Sequence, residues 1–63
     1  MNSKYRHLLD AARDDSIKEG YIRMLMRSAL ESGEPKLPAE HFAMGYAIGK
    51  LESLVLSRQK GAV

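Results

Sequence analysis

A chain of 63 residues with 10 Lys and Arg against 8 Asp and Glu, 44% apolar residues and no cysteine has the make-up of one small, weakly basic domain. The missing cysteines exclude disulfide staples and thiolate metal sites, and a net charge of +2 is too small to act alone as a nucleic-acid footprint. A domain this short buries only about 60% of the surface that its unfolded chain exposes, so we expect a second chain to help stabilise it and expect no enzyme active site.

Residues 3–32 contain no proline and are rich in Ala, Leu, Met, Glu, Lys and Arg. At about 100° per residue Tyr5, Leu8, Leu9 and Ala12 share one side of a helix, while Ile22, Leu25, Met26 and Ala29 centre a third of a turn away. We read the segment as one long helix, bent near Asp15, with a break into two helices there as the alternative. A repeat of about 3.5 residues favours continuity by placing Tyr5, Ala12 and Met26 at one position and Leu8, Ile22 and Ala29 at another. Asp15 and Glu19 are the polar faults of that register, and they should lie at an open end or face basic residues. Ser16-Ile17-Lys18-Glu19 matches a capping box, the signature of a helix start.

Ser32-Gly33-Glu34-Pro35-Lys36-Leu37-Pro38 is the one cluster of breakers. Gly33 suits the residue that ends a helix, Pro35 blocks its continuation and Pro38 fits the first turn of the next one. The loop is expected over 33–37, a second helix over about 38–59 and a flexible tail over 60–63. The β-branched residues Ile17, Ile22, Ile48, Val55 and Val63 do not alternate with polar ones as a half-buried strand requires, so no strand is expected. The expected fold is an all-α helical hairpin forming a single domain over 1–63.

The second helix is apolar on both sides. Met44, Ala47, Ile48, Leu51, Leu54 and Val55 form the expected core face, and the opposite side carries Phe42, Gly45, Tyr46, Gly49, Ser53 and Leu56. Each mid-helix glycine costs about 1 kcal/mol relative to alanine, so Gly45 and Gly49 suggest a close approach by another helix. A second copy is the simplest partner, with Phe42, Gly45, Tyr46, Gly49 and Ser53 as the self-interface of a homodimeric four-helix assembly. Its parallel or antiparallel sense stays open.

No catalytic constellation stands out. His7 and His41 have no metal-ligand spacing to other residues, the serines lack a glycine elbow, and Gly45-Tyr46-Ala47-Ile48-Gly49 lacks the strand that a phosphate-binding turn needs. No cofactor or metal is expected. Met24, Met26 and Met44 suit core filling, or the lining of an adaptable groove. Tyr21, Arg23 and Arg27 are candidates for a protein partner, because an aromatic beside arginines suits an interface hot spot. The alternative is a helical dimer that binds RNA or DNA backbone through Arg13, Arg23 and Arg27, although Asp10, Asp14, Asp15, Glu19 and Glu31 lie among them.

The N-terminal run Met1-Asn2-Ser3-Lys4-Tyr5-Arg6 is not a secretory signal, and Lys50 and Glu52 interrupt the longest apolar stretch, so neither export nor a membrane association is expected. From Met1-Asn2-Ser3-Lys4-Tyr5-Arg6-His7-Leu8-Leu9-Asp10 through Phe42-Ala43-Met44-Gly45-Tyr46-Ala47-Ile48-Gly49-Lys50, the whole chain resembles the small early protein encoded between the exonuclease and excisionase genes of lambdoid bacteriophages. That resemblance implies a short helical dimer of the host cytoplasm, made early in infection, that influences the choice between lysis and lysogeny; our own reading is an interaction module that binds a host or phage regulatory protein. It brings no site residues with it.

Overall fold

The computed structural model describes residues 1–61, and side chains through residue 58. It is all-helical, with no strand among the described residues: α1 spans Ser3–Ala12, α2 spans Glu19–Glu31 and α3 spans Pro38–Gly61. Three helices thus stand where a two-helix hairpin was expected, and the long first helix is replaced by α1 and α2. A dimer would accordingly hold six helices rather than four.

Asp14 supplies the local cause of the break. Its Oδ1 accepts hydrogen bonds from the Ser16 amide at 2.9 Å and the Ser16 hydroxyl at 2.7 Å, a turn that competes with helix continuation. The global cause is the phase shift between the two apolar stripes. Once folded back, α1 and α2 turn Tyr5, Leu8 and Ala12 and Ile22 and Ala29 into one core, completed by Ala43 and Ala47 of α3. A continuous helix would have left those stripes on different sides. The expected capping box does not form, because Ser16 is occupied by Asp14, and α2 starts from Lys18 without a side-chain cap.

Gly33 ends the α2 turn with φ 138°, a conformation open to glycine, and Pro38 opens α3 as expected. The tail expected over 60–63 falls partly on α3, which runs to Gly61, and partly on 62–63, outside the described residues. The core face of α3 is also rotated from the expected one. Glu40, Ala43 and Ala47 are buried and Leu51 and Leu54 pack on the core, whereas Ile48 is 44% exposed. Of the expected face Met44, Ala47, Leu51 and Leu54 still meet the core and Val55 is half-buried, so the rotation is small.

Candidate functional site

The outward face of α3 has no partner among the described residues. Phe42, Tyr46 and Leu56 are 60%, 43% and 59% exposed, and Gly45, Gly49 and Ser53 lie open between them. The Phe42 and Tyr46 rings stand 6.0 Å apart and tilted, forming a ridge. Beside it Gly49, Glu52, Ser53, Leu56 and Ser57 line a shallow trough of about 460 Å³. A Cβ built on Gly45 or Gly49 would meet nothing within 4 Å, so no contact inside the chain accounts for either glycine. The five residues expected at a self-interface therefore share one free surface.

A second concavity, of about 490 Å³, lies between α2 and α3, floored by Ile48, Leu51 and Val55 with Arg23, Glu52 and Leu56 at its edges. Through Leu51 it adjoins a cleft lined by Met24, Met26 and Arg27. The methionines divide: Met26 and Met44 pack on the core, and Met24 is exposed. Arg23 and Arg27 reach this side of the molecule, but each is paired one turn along the helix, Arg23 with Glu19 at 3.5 Å and Arg27 with Glu31 at 3.8 Å. Tyr21 does not join them. It lines a cleft on the other side of α2 with His7, Asp10 and Asp14, so the expected aromatic-arginine cluster is not assembled. Arg13 caps the end of α1, on a different element from the other two arginines.

The polar faults found basic neighbours, as expected of them. Asp15 faces Lys50 at 3.6 Å, and Glu19 lies between Arg23 and Arg58, its Oε2 accepting from Arg58 at 3.1 Å. Glu19 Oε1 is shielded from water with no hydrogen-bond partner among the described residues.

Glu40, which sequence reasoning passed over, organises the opposite end of the bundle. Its Oε1 accepts from the Lys36 and Leu37 amides at 2.9 and 3.2 Å, and its Oε2 from the Asn2 amide at 2.8 Å. These backbone donors, Lys36 first, then Asn2 and Leu37, hold its carboxyl down at about 2. Nearby the Tyr5 hydroxyl donates to the Gly33 carbonyl at 2.7 Å, and burial, with Glu40 and Glu34 adding to it, pushes that phenol upward. The signal was present in Leu37-Pro38-Ala39-Glu40, which places a glutamate at the third helical position, half of a capping box. This cluster is saturated by its own backbone partners and leaves no group free for chemistry. His41 is exposed beside it, and no cluster of three His, Asp or Glu able to hold a metal occurs among the described residues. No helix there is long and apolar enough to cross a membrane.

No protein-family model matches the chain, and no curated protein or solved structure matches it either.

Proposed function

We propose that the protein is a non-enzymatic interaction module, an early phage regulatory or accessory protein that binds a host or phage regulatory protein in the host cytoplasm and influences the choice between lysis and lysogeny or the takeover of the host. The observation that carries the interaction reading is the outward face of α3, where aromatic side chains and two helix-weakening glycines stand exposed with no contact inside the chain to explain them. The phage setting rests on the whole-chain resemblance described above. In this reading two copies pair through Phe42, Gly45, Tyr46, Gly49 and Ser53, and the groove edged by Arg23, with Arg27 on the adjoining cleft, is left for the regulatory protein.

Sedimentation equilibrium tests the pairing. The protein should sediment as two copies and Gly49→Leu as one, with helical circular dichroism retained. An unchanged, folded dimer for that variant would remove α3 as the interface. Capture of the tagged protein from infected cells with and without nuclease tests the partner class. A discrete protein retained after nuclease supports the reading, whereas loss with nuclease moves the function to nucleic acid and to Arg13, Arg23 and Arg27.

A further inference from the structure

We propose that α1 is an exchangeable element: the turn from Arg13 to Lys18 winds into helix, joining α1 and α2 into one rod, and α1 then leaves its own core to fill the same seat in a second copy. The exchange uses no contact on the outward face of α3, so it stands apart from the pairing proposed above.

Three observations carry it. The first is the turn itself. Residues 13–18 contain neither glycine nor proline, and no described residue other than glycine has a positive φ, so nothing in the backbone obliges the chain to fold back there. The reversal is held by Asp14, whose Oδ1 accepts from the Ser16 amide and hydroxyl, by the Ile17 amide on the Asp14 carbonyl at 3.2 Å, by Ile17 against the core and by the exposed Asp15 with Lys50. Beyond it α2 starts from Lys18 with no side-chain cap, and winding would give the Glu19 and Gly20 amides the carbonyls of Asp15 and Ser16. Helix gained thus offsets the turn lost.

The second observation is the seat. Tyr5, Leu8 and Ala12 pack in one core with Ile22, Ala29, Ala43 and Ala47, and the bonds that tie this end down run from the Asn2 amide to Glu40, from Asn2 Nδ2 to Ser32 and from the Tyr5 hydroxyl to Gly33. None of them involves the turn. An α1 from a second copy makes every one of these contacts unchanged, which is the condition for exchange at low cost.

The third is phase. Along one continuous helix the apolar stripes of α1 and α2 centre a third of a turn apart, which in a lone rod would leave one of them without a core. With exchange, the α2 stripe stays on its own α3 while the α1 stripe faces the other copy. The misalignment that breaks the helix in one chain is accommodated in two.

Asp14→Ala removes the shared acceptor and favours helix. Each exchanged dimer opens two turns, so its dissociation constant should fall about tenfold or more while helical circular dichroism rises. Ser16→Ala, which removes only the hydroxyl donor, should move both in the same direction by less. Lys4 and Ser28 line one cleft and the chain has no cysteine, so Lys4→Cys with Ser28→Cys places two spin labels. Folded back, the labels lie within about 15 Å across adjacent helices; in the rod, at 1.5 Å per residue, they lie about 36 Å apart. Dilution into the same chain without cysteines confines dipolar spectroscopy to the distance within one chain. The long distance in an Asp14→Ala sample that sediments as a dimer, retained when Gly49→Leu is added, supports the exchange. The short distance alone, the long distance in a monomer, or a loss of helix in Asp14→Ala overturns it. A dimer with the short distance that Gly49→Leu dissolves overturns the exchange while leaving the α3 pairing standing.

Discussion

The two halves of α3 are held by different physics. Its first half is enclosed on its inner side: Glu40 is buried with three backbone amides on its carboxylate, Tyr5 of α1 is tied to Gly33 nearby, and Ala43 and Ala47 are fully buried in the core. Its second half is half-buried along Leu51, Leu54 and Val55, and otherwise rests on the ion pairs Lys50–Asp15 and Arg58–Glu19. Directional bonds and close packing fix the first region, whereas in the second each ion pair joins a largely shielded group, Lys50 or Glu19, to an exposed partner, Asp15 or Arg58, and so contributes less. Stability is thus concentrated toward the Glu40 end of the bundle, while the apolar surface left available runs along the outward face of both halves, from Phe42 and Tyr46 to Leu56.

The contrast can be broken most severely in the core. Leu8→Ala or Ile22→Ala, each at a fully buried site, should cost about 3 kcal/mol, and Val55→Ala at the open end about 1 kcal/mol or less. Urea unfolding checks the ratio, and equal costs would erase the distinction. Glu40→Gln should come next, because it weakens the acceptor shared by three amides. The sign of its pH dependence follows from the lowered carboxyl. Its stabilisation is complete above its ordinary value of 4.5 and is lost as pH falls through about 2. Melting temperature should therefore fall through that acid range and fall less steeply in the variant. Some slope should remain from Asp14, whose carboxyl is lowered by the Ser16 hydroxyl and amide.

Gly49→Ala sharpens the open side. Its added Cβ meets nothing in the protomer, so the isolated chain should gain about 1 kcal/mol of helix stability while self-association weakens. Denaturation at low concentration and sedimentation at high concentration read the two effects separately. The smallest effect belongs to Lys50→Ala and Arg58→Ala, at about 0.5 kcal/mol or less and vanishing in high salt. A large, salt-resistant loss at either position would show the second half of α3 to be as firmly fixed as the first.

The helical class, the loop at Gly33 to Leu37 and the two-sided α3 were all legible, because glycine, proline and apolar spacing act over a few residues. The break between α1 and α2 was visible as Asp14-Asp15-Ser16 but was outweighed by a repeat that ran past it. Deciding between the two required knowing that Tyr5 and Ile22 would meet in one core, a contact across the fold. That Tyr21 lies apart from Arg23 and Arg27 was missed for a related reason. Its nearness in sequence to Arg23 hides the fact that residues two apart on a helix point apart. Glu40's bonds to Lys36 and Leu37 were legible in the local capping pattern, whereas its bond to Asn2 spans 38 positions, which no local pattern records.

That bond gives Asn2 an unusual standing. The first residues of a domain ordinarily fray and exchange their amide protons as fast as free peptide does. Here the second residue donates its proton to a carboxylate enclosed by the loop before α3, while its own side chain caps α1. Its exchange should therefore be slowed to the rate at which the α1–α3 contact opens, making the Asn2 amide a reporter, at the very edge of the chain, on the integrity of the interior.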